Sequence, residues 1–502
     1  MIATGSRPEA RVSCDPVLLL PPVPLASVLD AVPGAERRGD AVVRDVVFDS
    51  REVTPGALFC CVPGALEDGH AYAPAAVAAG AAGLLVERWL EGVDAPQVRV
   101  PSVREAMGPV AAVVFAHPAD TLTIAGITGT NGKTTVTYLI ESIWRAAGVR
   151  PGVVGTTGAR VDGEPVPLAR TTPEAPDLHR LLARMRDAGV TGVALEVSSH
   201  ALAQHRVGGV RFDVAAFTNL SQDHLDFHPS MEDYFEAKAS LFTPAYTARA
   251  VVNADDLWAR RLLAAPLVPT ATYGVERYAD VRATDVSSTV EGVSFSVDGV
   301  GFRSRLRGGF NVSNCLAAIA VAKQLGIELG AAAEGLAAVP GVPGRVEPVD
   351  AGQDFLVVVD YAHTPDSIRS VLQAARPLAS GRLIVVFGCG GDRDRAKRPL
   401  MGAAASGVAD LTVITSDNPR SEDPLAIIAD IEPGARDGGG DYVVEPDRRA
   451  AIGLAIDGAR TGDVVVVAGK GHEPYQELAD GTIPFDDREV AREALERRGT
   501  RP

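Results

Sequence analysis

The chain has 502 residues, too many for one hydrophobic core, and its length predicts about three domains. A formal net charge of -16 excludes a general nucleic-acid binder and a protein that adheres to anionic membranes, because both need a basic face. Five scattered cysteines (Cys14, Cys60, Cys61, Cys315, Cys389), no apolar run of membrane-spanning length and no signal-peptide pattern together predict a reduced, cytoplasmic, soluble protein.

Residues 1–24 are rich in Pro, Ser and Arg and read as a flexible leader. Residues 25–119 read as a small α/β domain. Strands are expected at Val42 to Phe48 and Ala57 to Val62, a small-residue helix from Ala71 to Ala82, and a short strand after Gly83. Ser50 follows the first strand in an Asp-Ser-Arg loop. Ligands often bind at that end of a strand, although a plain turn accounts for the loop equally well.

Residues 120–342 read as a central domain built on the stretch from Leu122 to Val136. Leu122 to Ile124 end a buried strand, Gly126, Gly129 and Gly132 form a turn, and Lys133, Thr134 and Thr135 open a helix that stops near Gly148. Backbone N–H groups and a helix N-terminus then form an anion cradle. Lys133 is expected to reach the outer phosphates of a nucleotide, and Thr134 to hold Mg²⁺. The general phosphate-loop pattern has glycine where this chain has Ile127, so the loop is a variant.

Downstream, Thr171-Thr172-Pro173 precedes a helix that begins near Pro176, where free hydroxyls can bind anions. Val193 to Val197 reads as a central parallel strand interrupted by Glu196. A carboxylate at a buried strand end is costly unless it is paired or binds metal, and beside a phosphate loop the Mg²⁺ reading fits. The loop carrying Asp223, His224, Asp226 and His228 lacks zinc-site spacing. It is either a solvated polar loop or part of a metal site. Lys238 sits in a helix with an apolar face, where a solvated lysine is the ordinary reading. Residues 273–305 read as hairpins, and Asn311 as the N-cap of a long helix.

After the Pro340-Gly-Val-Pro-Gly-Arg345 linker, residues 343–502 alternate strand and helix. Four strands are expected, and each ends in a polar loop. These loops carry Asp360, Arg393, Asp417-Asn418-Pro419-Arg420, and Gly469 with Glu473. This is the pattern of a Rossmann-like doubly wound sheet with one functional rim. The Gly388 loop lacks the dinucleotide fingerprint, and Gly469-Lys470 is not a second phosphate loop because Gly471 replaces the metal-binding hydroxyl.

Gly129-Thr-Asn-Gly-Lys-Thr-Thr135, Glu196 to His200, His224-Leu-Asp226, Asn311 to Asn314, Gly344-Arg-Val-Glu347 and Asp360-Tyr-Ala-His363 occur in an order that resembles the Mur ligases over nearly the whole chain. The family shares the Ile127 departure. Within the family, Thr171-Thr172, Gln204-His-Arg206, Glu236-Ala-Lys238, Gly391-Asp-Arg393, Asp417 to Arg420 and Gly469 to Glu473 resemble the members that extend a UDP-linked muramoyl dipeptide by diaminopimelate.

The resemblance implies an α/β protein of three domains, for the UDP end, for ATP and for the incoming amino acid. Gly129, Thr130, Asn131, Gly132, Lys133, Thr134 and Thr135 would hold the ATP phosphates. Asn311, Asn314, Arg345 and Asp360 would frame ADP. Ser50, Thr171, Thr172, Ser198, Gln204 and Arg206 would hold UDP-N-acetylmuramoyl-dipeptide. Thr134, Glu196, His224 and a carbamylated Lys238 would hold Mg²⁺. Arg393, Asp417, Asn418, Pro419, Arg420, Gly469 and Glu473 would bind diaminopimelate. Lys133, His224 and Lys238 are the catalytic candidates. The chemistry implied is amide formation through an acyl phosphate, in peptidoglycan synthesis, by a cytoplasmic monomer that does not insert into membranes. Because Arg345 and Asp360 lie beyond the linker, catalysis would require domain closure. Lysine would leave Arg420 facing an empty pocket, so diaminopimelate is the expected substrate. A folylpolyglutamate-type ligase and a non-ligase phosphate-loop regulator remain alternatives at this point.

Overall fold

The computed structural model describes residues 21–64 and 67–499. Most of the expected leader, including Cys14, lies outside the described residues. The end of that leader is corrected, because Val23–Pro24 form a strand paired with Val42–Val43.

The N-terminal sheet has five strands in the order Glu36–Arg38, Gln97–Arg99, Gly83–Val86, Ala57–Cys60 and Asp45–Val47. All neighbours are parallel except the first pair. Ala57–Cys60 and Gly83–Val86 are buried at every position, as expected where helices cover both faces. Helix Val103–Val114 packs on one face and Ala73–Ala78 on the other. The expected Ala71 to Ala82 helix is shorter than read and is preceded by a 3₁₀ turn at Gly69–Tyr72.

A nine-stranded sheet forms the middle of the molecule. Thr123–Thr128 lies between Gly192–Glu196 and Val214–Phe217, parallel to both. The loop after Thr128 therefore opens at the carboxyl edge of the sheet, beside the ends of two neighbouring strands. Gly126 belongs to this strand and not to the turn. A Cβ there would come within 2.7 Å of the Phe212 ring, so its glycine serves packing. Helices Lys133–Ala146, Phe310–Gln324 and Leu329–Ala338 cover one face, and Ala175–Asp187 and Met231–Ala239 the other. The 273–305 stretch is only partly hairpin. Thr270–Gly274 and Val281–Arg282 extend the large sheet in parallel, and an antiparallel meander follows from Thr284 to Ser304.

The C-terminal sheet has six strands, ordered Glu347–Pro348, Leu356–Asp360, Val464–Ala468, Leu383–Phe387, Leu411–Ile414 and Asp441–Val444. All but the Glu347–Pro348 edge run parallel. Helices on both faces make it doubly wound. Asp441–Val444 is an unexpected edge strand, mostly exposed and without the apolar run that marks the inner strands.

Two rim loops of this sheet are tied together from below. Arg448 and Asp487 are fully buried and paired through two contacts, Nε–Oδ1 at 2.8 Å and Nη2–Oδ2 at 2.7 Å. The same guanidinium donates to the carbonyls of Ser416 and Ala468, the residues that begin the Asp417 and Gly469 loops. Removing one partner of a buried pair leaves an uncompensated charge. Asp487→Ala should therefore lower stability by about 3–5 kcal/mol. A denaturant midpoint unchanged from the parent would show that the pair is dispensable.

Candidate functional site

Gly129 and Gly132 have φ of +142° and +89°, which side-chain-bearing residues rarely adopt. Each also lies against a polar side chain. A Cβ on Gly129 would sit 1.9 Å from Thr218 Oγ1, and one on Gly132 would sit 2.4 Å from Asn314 Oδ1. Helix Lys133–Ala146 starts directly after this turn and presents its N-terminal amides to the loop. Lys133 Nζ donates to the carbonyls of Gly129 and Thr130, both at 2.9 Å.

Lys238 comes from helix Met231–Ala239, and its Nζ donates to the same Gly129 carbonyl at 3.0 Å. It is 1% exposed, so it is not the solvated lysine that a helix position usually implies. Burial, with Lys133 adding to it, pulls its pKa well below the ordinary lysine value. The pKa of Lys133 is also lowered, first by loss of hydration and then by Arg345, against the opposing pull of Glu196. His224 has φ +55° and lies beside Asp223, with Nε2 3.3 Å from Oδ2. Its pKa is lowered by loss of solvent more than Asp223 can raise it, which favours the neutral ring. The electrostatic coupling of Lys133, Lys238, His224, Glu196, Asp223 and Arg345 places them in one neighbourhood.

Glu196 ends its strand 1% exposed. Its carboxylate accepts from Thr156 N at 2.9 Å and Thr156 Oγ1 at 3.0 Å. Thr156 Oγ1 is in turn 3.1 Å from Thr171 Oγ1. Thr172 Oγ1 donates to the Glu196 carbonyl at 2.7 Å. Ser198 caps the short helix Ser199–Ala203, its Oγ accepting from Ala201 N. Gln204 Oε1 accepts from Arg206 Nη2 at 2.6 Å. Thr171, Thr172, Ser198, Gln204 and Arg206 thus form one connected patch beside Glu196. Ser50 lies apart, in a 3₁₀ turn that Asp49 caps by accepting from Arg51 N.

The C-terminal domain reaches this patch directly. Arg345 Nη2 donates to Thr134 Oγ1 at 3.0 Å, and its guanidinium lies 4.6 Å from the Tyr361 ring centre. Lys397 Nζ is 3.4 Å and His363 Nε2 3.7 Å from the Asp223 carboxylate. Burial alone would raise the Asp223 pKa, but His224, His363 and Lys397 outweigh it and hold the carboxyl well below its usual range. His472 Nε2 contacts the Thr156 carbonyl at 3.3 Å. Asp360 accepts from Val346 N and Ala362 N, which fixes the chain just past the linker. Asn311 is not the N-cap expected for its helix. Gly309 holds that position, and Asn311 instead donates to Arg307 O at 2.6 Å and accepts from Asn314 Nδ2 at 2.8 Å.

The rim loops meet as expected, and two of their charged groups, Arg420 and Glu473, are already paired. Arg420 does not face an empty pocket: its Nε is 2.8 Å from Glu477 Oε2, and its Nη1 donates to Gly391 O at 2.8 Å. Glu473 is 3.2 Å from the buried Lys470 and accepts from Asn418 Nδ2 at 3.0 Å. Gly390 has both Arg420 and Arg393 side chains as neighbours, and Asp417 Oδ2 lies against Gly469. Pro419 O lies against Gly391, so the two loops touch backbone to backbone. Thr156, Asp223, Lys397, Lys470 and Glu477 had no assigned role in the sequence reading. Asp223 appears there only within the His-rich polar loop and Lys470 only in a rejected phosphate-loop pattern, and no local pattern singles out Lys397 or Glu477.

No cluster of three His, Cys, Asp or Glu side chains in metal-binding arrangement occurs among the described residues. Glu196 and Thr134 nevertheless offer the oxygen donors that a hard cation takes, with the His224 ring nitrogen as a softer neighbour. Thr134 would have to exchange its contact with Arg345 for the ion.

Three family descriptions match the chain: "Mur ligase family, catalytic domain" over residues 43–114, "Mur ligase middle domain" over 127–322, and "Mur ligase, glutamate ligase domain" over 344–471. A Gloeobacter violaceus protein named UDP-N-acetylmuramoyl-L-alanyl-D-glutamate–2,6-diaminopimelate ligase is 51% identical over 470 residues, 92% of this chain and 96% of that protein. A Streptomyces avermitilis protein of the same name is 48% identical over 491 residues, 94% of this chain and 96% of that protein. A solved structure bearing that name superposes with a TM-score of 0.66 at 37% identity, covering 92% of this chain and 96% of that one. Mycobacterium tuberculosis folylpolyglutamate synthase, at 19% identity and a TM-score of 0.59 over 78% of this chain and 94% of that one, shares the fold alone.

The phosphate loop yields a direct test. Gly129→Ala needs both a strained φ and a displaced Thr218. It should weaken binding of a non-hydrolysable ATP analogue by about tenfold or more, equivalent to ~1.4 kcal/mol. Calorimetric titration would measure it, and parent-like affinity would show that the loop does not hold the nucleotide.

Proposed function

The chain belongs to the Mur ligase family, and from that membership we propose that it is the ATP-dependent ligase that joins diaminopimelate to the D-glutamate of UDP-N-acetylmuramoyl-L-alanyl-D-glutamate, in peptidoglycan synthesis. The observation that carries this reading is the near-full-length identity with relatives of that name. The site geometry supports the same chemistry.

A carboxylate does not condense with an amine at neutral pH, because its leaving group is poor. Transfer of the ATP γ-phosphoryl group to the glutamate side-chain carboxylate gives an acyl phosphate and ADP. The amine of diaminopimelate then attacks the acyl carbon, and phosphate departs. Two anions must be brought together for the first step, so positioning and charge neutralisation are the main tasks of the protein. The loop amides from Gly129 to Thr135 and Lys133 would hold the phosphates. Thr171, Thr172, Ser198, Gln204 and Arg206 would hold the dipeptide end, and Ser50 the UDP end. Asn311, Asn314, Arg345 and Asp360 would frame the nucleotide. Mg²⁺, held by Thr134, Glu196, His224 and the carbamate of Lys238, would neutralise phosphate charge when bound. Lys238 is suited to that modification because its low pKa supplies the unprotonated amine that adds carbon dioxide with loss of one proton.

Arg393, Arg420, Asp417, Asn418, Pro419, Gly469 and Glu473 would form the diaminopimelate site. The contacts of Arg345, His363, Lys397 and His472 with the central domain describe a closed arrangement, which supports closure as part of the cycle. A cytoplasmic monomer completes the proposal, and no helix among the described residues is long and apolar enough to cross a membrane. The direct test is phosphate release by the purified protein. Release that requires ATP, the muramoyl dipeptide and diaminopimelate together supports the reading, and release independent of diaminopimelate overturns it.

Lys238→Ala should lose most activity and regain part of it with added short carboxylic acids, which replace the carbamate. Parent-like turnover in that variant would remove the carbamate from the mechanism.

Amino-acid choice gives a second outcome. A site whose polar group is stranded by an analogue rejects it by about 10⁴-fold. Here Glu477 keeps Arg420 paired even when the distal carboxylate is missing. Discrimination against lysine should therefore fall to the order of 100-fold in kcat/KM, and Arg420→Ala should erase most of it. A ratio unchanged by that substitution would show that Arg420 does not read the distal carboxylate.

A further inference from the structure

Glu174 lies two residues past Thr172 and immediately before helix Ala175–Asp187. It is 5% exposed, yet its carboxylate makes no capping hydrogen bond to that helix. Three guanidiniums converge on it instead. Arg104 Nη1, from the N-terminal helix Val103–Val114, donates at 2.7 Å. Arg170 Nη1 donates at 3.1 Å. Arg206 Nε lies 2.9 Å away as an ion pair without in-line hydrogen-bond geometry.

The remaining contacts of Arg206 are with Gln204 Oε1 at 2.6 Å and the Thr172 carbonyl at 3.4 Å. Its orientation is thus set by Glu174 and by residues of the dipeptide patch. The backbones of the two domains also touch here, because a Cβ on Gly108 of the N-terminal helix would come within 2.4 Å of Gly208 O. Two separate observations, the Arg104–Glu174 ion pair and the Gly108–Gly208 approach, join the N-terminal domain to the loop that carries Arg206. The substrate proposed above must span this joint, with its UDP end on the N-terminal domain and its dipeptide end against Arg206.

We propose that Glu174 is a positioning residue for the muramoyl dipeptide: it orients Arg206 and, through Arg104, sets the spacing between the two ends of the substrate groove. This rests on the ligase reading. Glu174 itself does not touch substrate. Its role is to hold one guanidinium in place and to fix the distance across which a long, doubly anchored ligand must fit. A carboxylate is required because an amide of the same shape would leave the surrounding guanidiniums without their shared counter-charge.

The test compares Glu174→Gln, Arg104→Ala and the double variant with the parent in steady-state assays. Glu174→Gln should raise KM for the UDP-muramoyl dipeptide by about tenfold or more, while KM for ATP and for diaminopimelate stays within about twofold. Arg104→Ala should raise the same KM by less, and the double variant should be no worse than Glu174→Gln alone, since both act through one contact. Glu174→Asp should recover part of the loss. Three KM values shifting together, an unchanged KM for the muramoyl dipeptide, or additive single effects would each overturn the proposal. If Glu174→Gln does not fold, Arg104→Ala decides by the same selective KM criterion. A parent that does not turn over the muramoyl dipeptide overturns the ligase reading itself, whereas an active parent with an indifferent Glu174→Gln overturns only this inference.

Discussion

Two lysine amines, from helices more than 100 residues apart in sequence, donate to one backbone carbonyl, that of Gly129. Two unit charges about 4 Å apart repel by roughly 4 kcal/mol in a partly buried setting. Burial strengthens that repulsion and strips hydration, so both pKa values fall, most strongly at Lys238. A buried amine short of its proton can take up carbon dioxide, and a cation short of a partner attracts phosphate. The carbamate proposed at Lys238 and the phosphate contact proposed at Lys133 would both draw on this crowding. The carbonyl that takes both amines belongs to Gly129, whose φ is +142°.

The contact of the C-terminal domain with the central one extends the same electrostatic logic. Asp223 collects His224 from its own loop and His363 and Lys397 from the opposite domain. Arg345 adds a contact to Thr134, at the first turn of the phosphate-loop helix. The linker therefore does more than join two folded units. It delivers an arginine to the start of helix Lys133–Ala146, and its neighbour Asp360 fixes the backbone that carries that arginine.

The phosphate loop, the strand ending in Glu196 and the polar rim of the C-terminal sheet were legible in the sequence because their determinants are local. Continuous apolar runs mark strands buried on both faces, and glycines followed by Lys-Thr-Thr mark the cradle. The Asp441–Val444 strand was not legible, because an exposed edge does not demand an apolar run. Asn311 was misread as a cap because its partner Asn314 outweighs the local preference. The contacts that assemble the site were hidden for another reason. Arg104 meets Glu174 across 70 residues, Lys397 meets Asp223 across 174, and His472 meets Thr156 across 316, and no periodicity records such pairs.

The charged groups proposed to meet substrate share one arrangement. Arg420 rests on Glu477, Glu473 on Lys470, Arg206 on Glu174, and Arg345 on the Thr134 hydroxyl. An unpaired buried charge is costly, so a site that must accept several anions in sequence cannot leave its cations bare. Internal carboxylates hold Arg420 and Arg206 in place and keep them paired until a ligand adds to the contact or displaces it. The consequence is a lower ceiling on affinity for each group, because every ligand competes with an existing partner. Selectivity then comes from several such exchanges occurring together. That suits an enzyme that must handle several charged substrates at one site.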